Sequence, residues 1–267
     1  MHRSERSLMR STSIRSYLLV VLLIVIVGAC MVDTRVSPAV AIRGIPNILR
    51  YLSGMWPVAW SKIPSLVGPL RESVEIAVVS IAWASIGALI LGLAGARNVA
   101  PWPWLYQAAR LLLNALRGIP SLLYALIFVS MVGLGPFPGV LGLALHCIGA
   151  LGRYFAEAFE SAEIEPIEAA QIDGANRLQV IWYVLIPGVG HLLIGYVLYY
   201  FEYCIRTSTM LGLVGAGGIG VPLLISLRLF RTQEVAAELL VILVVVFVLD
   251  RISAMVRHRV LGVTGKL

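Results

Sequence analysis

Residues 74–96 read VEIAVVSIAWASIGALILGLAGA, and this stretch decides the fold class. Glu75 is its single charged residue, and a helix of this length can cross the ~30 Å hydrocarbon core of a bilayer. The whole chain of 267 residues shares this character, with 59% hydrophobic residues, 13% charged residues and a mean hydropathy of +0.90. Such a composition is far more apolar than that of a soluble domain. The sequence therefore predicts an all-α membrane protein.

Further apolar stretches extend this prediction to a polytopic bundle of about six transmembrane helices. The predicted spans are residues 16–32, 74–96, 105–132, 139–160, 188–206 and 235–256. Residues 74–259 are predicted to form one membrane domain, because no internal repeat and no second soluble region interrupts them.

The flanking segments set the predicted orientation. Residues 1–15 and 260–267 are predicted to be cytoplasmic tails, because arginine and lysine concentrate near both ends of the chain. Residues 33–73 contain several prolines and two tryptophans, which predicts an extracytoplasmic segment lying at the level of the lipid headgroups. A signal peptide of residues 1–29, cleaved before Cys30, is the alternative to a retained first helix.

Charge and cysteine content exclude several classes of protein. The formal net charge is +7, yet the basic residues are scattered at helix ends without the basic, aromatic-interleaved patch of a nucleic-acid-binding protein. The lipid bilayer is the expected partner of these charges. Cys30, Cys147 and Cys204 each lie in an apolar run without metal-ligand spacing, so we expect small core residues, no metal site and no cofactor.

Residues 161–187 connect the fourth and fifth predicted spans and carry too many acidic side chains to lie in lipid. Pro166 fits the first turn of a helix, and Gly174 is suited to end one. Between them, Ala169 and Ala170 leave a flat surface that a partner can approach closely. The sequence predicts a short helix on the cytoplasmic side that is solvated or docked on another protein.

The same loop carries a spaced motif. Glu168-Ala169-Ala170, then Gly174 and, after nine intervening residues, Val184-Leu185-Ile186-Pro187 resemble the EAA loop of bacterial ABC-importer permeases. Further stretches are similar to the phosphonate-type branch of that family: residues 117–120 (RGIP), 132–136 (VGLGP) and 211–220 (LGLVGAGGIG), with Phe201, Glu202 and Arg206.

The resemblance implies the fold of a type I ABC-importer permease with a cytoplasmic EAA coupling loop, in the bacterial cytoplasmic membrane. It implies three partners: a second copy of this chain, a pair of cytoplasmic ATPase subunits and an extracytoplasmic substrate-binding protein. ATP hydrolysis would then take place on the ATPase subunits, so this chain is not expected to be an enzyme. The residues implied to couple ATP use to transport are Glu168, Ala169, Ala170, Asp173, Gly174 and Pro187.

The implied substrate is a phosphonate, phosphite or a similar small oxyanion. One alternative is an ABC permease for another small nutrient, such as an amino acid or an organosulfonate. A second alternative is an autonomous channel or ion-coupled carrier, which would have no use for an EAA helix. An intramembrane enzyme is disfavoured, because neither HExxH nor GxSxG occurs in the sequence.

Charged residues at membrane depth are costly and mark candidate functional positions. Arg117 is interpreted either as a pore-side cation that attracts an oxyanion or as the partner of Glu157, Glu160 or Glu202. Glu202 and Arg206 are four residues apart, which favours an ion pair on one helix face over contact with substrate. His146 is interpreted as a hydrogen-bonded packing residue rather than a proton relay.

The glycine run near residue 215 is too flexible to form a stable helix. Backbone that is broken at membrane depth normally lines a cavity, so this run is predicted to form a gate or part of the pore lining. Close packing of helices across a dimer is the alternative. The residues concerned are Gly215, Gly217, Gly218 and Gly220. The run lacks the Lys-Ser/Thr of a nucleotide-binding loop, so ATP binding here is rejected.

Overall fold

The computed structural model describes the backbone of residues 2–34 and 38–261. Its side chains are described for residue 17 and for residues 19–34 and 42–255. The predicted tail at 260–267 lies almost entirely outside the described residues. The chain divides into two compact units between Trp56 and Pro57.

The first unit consists of two helices, α1 (His2–Asp33) and α2 (Pro38–Ser53). Helix α1 covers the predicted first span and begins well before it, within the predicted tail. Helix α2 is amphipathic: Ile45, Leu49 and Leu52 follow one face, whereas Arg43 and Arg50 lie on another. Such a pattern is typical of helices that lie at a membrane surface.

The second unit contains helices joined by turns, and no strand occurs among its described residues. A 3₁₀ turn (Trp60–Lys62) leads into α3 (Ile63–Ala94), α4 (Pro103–Gly118), α5 (Ser121–Val132), α6 (Pro136–Glu160) and α7 (Ile164–Ile172). These are followed by α8 (Arg177–Val180), a π turn (Ile181–Leu185), α9 (Ile186–Leu211), a 3₁₀ turn (Gly212–Val214), α10 (Gly220–Arg228) and α11 (Thr232–Leu261).

Helix α6 is the centre of this unit and contacts α3, α4, α5 and α9. Its neighbours approach closely because glycines replace side chains at the crossings. A Cβ added at Gly142 would lie 2.6 Å from the Ala125 backbone nitrogen of α5, and one added at Gly149 would lie 2.5 Å from the Arg117 nitrogen of α4. Small residues thus fix the spacing of the bundle.

Among the described residues, three helical stretches are long and apolar enough to cross a membrane: Trp60–Ala94, Pro136–Glu160 and Arg177–Val214. The bent pair α4 and α5 adds a fourth if it is counted as one span. The predicted spans 16–32 and 235–256 fall on α1 and α11, and part of each lies beyond the described side chains. The all-α membrane class is confirmed.

One predicted span has the wrong form. Residues 105–132 were expected to make one helix, but α4 and α5 meet at 84°. Pro120 lacks an N–H and disfavours helical backbone before it, and Ile119 is accordingly extended with ψ at 124°.

Proline did not act as a breaker near the start of α3. This helix begins at Ile63, eleven residues (74 − 63) before the predicted start, inside the segment expected to be interfacial. Pro64 lies in its first turn, where the missing N–H costs nothing, and Pro69 lies inside the helix. The fifth span is likewise longer than predicted, because helix runs continuously from Arg177.

Ion pairs close both ends of the bundle. At the end that carries α7, Arg110 of α4 pairs with Glu160 of α6 at 2.7 Å and donates to the Gly95 carbonyl after α3. At the opposite end, Lys62 pairs with Glu234 of α11 at 3.0 Å. The Lys62 hydrogen bond holds the pKa of the Glu234 carboxyl below its usual value.

We expect Gly149→Ala to destabilise the bundle by about 1–3 kcal/mol, because the added methyl group would push α4 away from α6. Gly190→Ala is the matched control, since a Cβ at this position in α9 meets nothing within 4 Å. Thermal denaturation of the purified protein in detergent measures both variants. Equal stability of the two would contradict the close α4–α6 packing.

Candidate functional site

Helix α7 ends in a well-defined cap. Gly174 has a φ of +86°, which glycine adopts without strain. The Gly174 N–H donates to the Gln171 carbonyl at 3.1 Å, and the Ala175 N–H donates to the Ala170 carbonyl at 3.0 Å. This bond pair is the Schellman motif, so the prediction that Gly174 ends a helix is confirmed. Pro166 lies in the first turn, also as predicted.

The side chains predicted to couple to a partner are accessible. Glu168, Ala169 and Asp173 are exposed, and Ala170 is half-buried. Gly174 is exposed, with nothing within 4 Å of the position a Cβ would take. The acidic side chains of α7 therefore project from the end of the bundle, next to a flat alanine surface.

A new helix begins directly after this turn. Asn176 accepts from the Gln179 N–H at 2.9 Å, while the Gln179 side chain accepts from the Asn176 N–H at 2.8 Å. This reciprocal pair is a capping box. Arg177 donates to the Ala100 carbonyl at 3.1 Å, which attaches the start of α8 to the segment between α3 and α4. The turn between α7 and α8 is thus held at both sides.

Pro187 was predicted to end the cytoplasmic loop, but it lies inside a continuous helix. The π turn immediately precedes it, and the Ile186 N–H reaches back five residues to the Ile181 carbonyl. Proline removes one N–H from the helical ladder, and a widened turn accommodates that loss. The loop proper therefore contains only α7 and the turn to α8.

A cavity of about 660 Å³ lies between α7 and the helices behind it. Apolar side chains dominate its wall, including Ile164 and Ile167 of α7 and Leu185 of the π turn. Arg177 and Glu160 contribute the charged part of the lining. The inner face of α7 is thus only loosely packed against the bundle.

The predicted break at the glycine run is present. Gly215, Gly217 and Gly218 have φ values of +83°, +81° and +76°, so the backbone leaves the helical region between α9 and α10. A Cβ on Gly217 would lie 2.8 Å from the Glu72 carboxylate, and none of these three positions suits another L-residue.

This glycine loop, residues 212–220, is attached to its own chain. The Ile219 N–H donates to Ser73 Oγ of α3 at 2.9 Å, and the Gly135 N–H before α6 donates to the Gly215 carbonyl at 3.0 Å. The close approaches that the glycines permit are therefore made to α3 and to the start of α6. Neither a dimer contact nor an anion is needed to explain them.

Of the three charged pore candidates, two form an ion pair with each other and the third, Arg117, does not form one among the described residues. Glu202 and Arg206 form the predicted ion pair at 2.8 Å. Arg117 is exposed at the end of α4 and makes no ion pair within the described part of the chain. Its proposed partners are engaged elsewhere: Glu160 with Arg110, Glu157 with Arg153, and Glu202 with Arg206. The pairing interpretation of Arg117 is therefore wrong within this chain.

His146 is half-buried and makes the contacts of a packing residue, as predicted. Its Nδ1 lies 3.0 Å from the Ile119 carbonyl, and its ring stacks on Tyr203 with a centroid distance of 5.7 Å. Because a carbonyl can only accept, Nδ1 carries the proton and Nε2 is the acceptor in the neutral ring.

Several contacts lay beyond sequence reasoning. Ser73 anchors the glycine loop from 146 residues away, and Ser226 donates to the fully buried Glu238 at 2.8 Å. Cys147 and Cys204, expected to be separate core residues, are buried as predicted but touch with sulfur atoms 3.4 Å apart. No local pattern signals these pairs, because each joins residues on two different segments of the chain and depends on how those segments meet.

The chain matches, over residues 87–262, the family described as binding-protein-dependent transport system inner membrane component. It is 40% identical over 233 residues to a phosphite transport system permease protein of Stutzerimonas stutzeri, covering 87% of this chain and 85% of the relative. It is 33% identical over 239 residues to a phosphate-import permease protein of Mycolicibacterium smegmatis, covering 88% of this chain and 45% of that relative.

Solved structures share the fold. The chain superposes on the inward-facing MetNI methionine ABC transporter with a TM-score of 0.64 at 20% identity. That match covers 76% of this chain and 99% of the other. At this level of identity the likeness establishes the architecture.

We expect Ser73→Ala to loosen the glycine loop, because the buried Ile219 N–H would lose its acceptor at a cost of about 1–3 kcal/mol. Hydrogen–deuterium exchange measured by mass spectrometry should show faster exchange over residues 215–220, by about tenfold. Ser65→Ala, on an exposed turn of the same helix, is the control and should leave the loop unchanged. Unaltered exchange in Ser73→Ala would show that other contacts hold the loop.

Proposed function

The chain belongs to the family of binding-protein-dependent transport system inner membrane components, and from this we propose that it imports phosphite, a phosphonate or a similar oxyanion as the membrane-spanning subunit of an ATP-driven transporter. Family membership confirms the resemblance to ABC-importer permeases and makes the chain a transport subunit. The oxyanion class is supported by relatives named for phosphite and phosphate transport.

The observation that carries the proposal is α7. It is a capped nine-residue helix with exposed acidic side chains, and it stands at one end of a membrane bundle. A motor that closes on ATP needs a short rigid element to push against, and a helix fixed by Gly174 moves as one body. The cavity behind α7 leaves room for that movement.

The proposed partners follow from this role. A pair of ATPase subunits would bind α7 through Glu168 and Asp173 on the cytoplasmic side. A second copy of this chain would complete the pathway, and an extracytoplasmic binding protein would deliver the substrate. With α7 in the cytoplasm, both chain termini would also be cytoplasmic, as the positive flanks of the sequence predict.

The pathway itself would use the residues that break the apolar bundle. Arg117 is the proposed pore cation. The glycine loop, with Gly215, Gly217, Gly218 and Gly220, is the proposed gate, and it is attached to α3 through Ser73. Glu202 and Arg206 neutralise each other, so they would shape the pathway without adding net charge.

Two other functions fit less well. A permease for an amino acid or an organosulfonate would share α7, but the relatives at 40% identity are named for phosphite. An autonomous channel or carrier would have no use for an exposed, capped α7 and no reason to match a binding-protein-dependent family.

We expect Glu168→Arg to abolish the stimulation of ATPase activity by substrate-loaded binding protein in the reconstituted complex, because the charge on the contact surface is reversed. Gly174→Pro should do the same, since proline cannot adopt a φ of +86°. Gly174→Asn is the matched control, because asparagine tolerates this backbone region. Stimulation that survives in Glu168→Arg and Gly174→Pro would contradict a coupling role, and failure of wild type to associate with any ATPase would favour an autonomous carrier.

A further inference from the structure

Arg117 lies at the middle of the bundle. Gly149 is thirteen residues from the start of the 25-residue helix α6, and its Cα faces the backbone of Arg117 at the end of α4. Helix α6 is one of the stretches long enough to cross a bilayer. Its midpoint therefore places Arg117 near the centre of the hydrocarbon layer.

Two further polar side chains lie at this level. His146 is three residues before Gly149 on α6 and bonds to the Ile119 carbonyl, two residues after Arg117. Tyr203 of α9 stacks on the His146 ring. Arg117, His146 and Tyr203 thus lie together on one side of the chain. They come from the break between α4 and α5, the middle of α6 and the second half of α9.

This surface cannot face lipid. Arg117 is exposed without an ion-pair partner among the described residues, and His146 and Tyr203 are each half-exposed. A charged side chain at the centre of a bilayer is costly and normally faces a water-filled cavity or a protein interior. In contrast, the side chain of Ile86 of α3 is 63% exposed. Ile86 lies at the same level, because Gly87 beside it contacts Ile148 of α6.

We propose that Arg117, His146 and Tyr203 form an oxyanion-binding site in the translocation pathway between two copies of the chain. The site deepens the proposed function and rests on it. Burying this surface between copies removes it from lipid, and a water-filled pathway there leaves Arg117 free to attract an anion. A second copy would present the same three residues from the other side.

The chemistry suits a tetrahedral phosphorus oxyanion that still carries a proton. The Arg117 guanidinium can donate two parallel hydrogen bonds to two such oxygens, and the Tyr203 hydroxyl adds a neutral donor. Because the Ile119 carbonyl fixes the proton on His146 Nδ1, Nε2 is an acceptor to which the P–OH group can donate a hydrogen bond. One cation per copy with neutral helpers permits binding without preventing release.

The first test is water accessibility. Arg117→Cys would be made in a Cys30→Ala background, leaving Cys147 and Cys204, which are fully buried. The complex with its ATPase would be placed in lipid nanodiscs and treated with a membrane-impermeant methanethiosulfonate. Arg117→Cys should react at least tenfold faster than Ile86→Cys, an apolar and exposed control at matched depth. Equal, slow reaction of both would overturn a water-lined site.

The second test separates binding from structure. In proteoliposomes with phosphite-loaded binding protein, Arg117→Gln should lower phosphite uptake at least tenfold, whereas Arg117→Lys, which keeps the charge but not the two parallel donors, should restore only part of it. Arg153→Gln removes another arginine from the bundle, one already paired with Glu157, and should leave uptake within about twofold of wild type. Phosphite added in excess should also slow modification of Tyr203→Cys, an effect that a purely structural Arg117 would not produce.

Each outcome decides a different claim. If wild-type complex shows no uptake driven by loaded binding protein, the proposed function fails and the site fails with it. If wild type imports phosphite, Arg117→Gln imports it equally well and phosphite does not protect Tyr203→Cys, the site is wrong while the transporter assignment stands.

Discussion

The hydrocarbon core offers no water to a polar group, and the rest of the structure follows from this constraint. Backbone groups are satisfied within helices, and the helices pack through glycines because apolar side chains gain little by leaving lipid. Where the regular helical hydrogen bonds stop, other bonds replace them. The Ile219 N–H donates to the Ser73 hydroxyl, and the Ile186 N–H before Pro187 donates to the Ile181 carbonyl in the π turn. Two ion pairs lie at the ends of the second unit, Lys62 with Glu234 and Arg110 with Glu160.

Against that background Arg117 and α7 are the informative exceptions. Arg117 is charged, exposed and without an ion pair among the described residues at the depth where this is most costly. Helix α7 is acidic and stands clear of the helices behind it, across a largely apolar cavity. A protein selected for stability alone would remove both features, so we interpret them as the places where other molecules act: the anion at one, the ATPase at the other.

The success of sequence reasoning depended on the range of the signal. Apolar runs, the cap at Gly174 and the break at Gly215 are determined by neighbouring residues, and all three were predictable. The sharp bend at Pro120 was readable in principle, but the long apolar run around it favoured one continuous span. Partners such as Ser73 for Ile219, or Cys147 for Cys204, depend on which helices meet, and a single sequence does not encode that in any local pattern.

The π turn at residues 181–185 has a consequence for how this helix tolerates change. It holds one extra residue between α7 and the membrane part of α9. If this residue were kept but the segment wound as a regular α-helix, everything beyond it would turn by about 100°, the angular step of one residue. Tyr203 and Cys204 would then face away from α6. The π turn thus sets which face of α9 meets α6, independently of the position of α7.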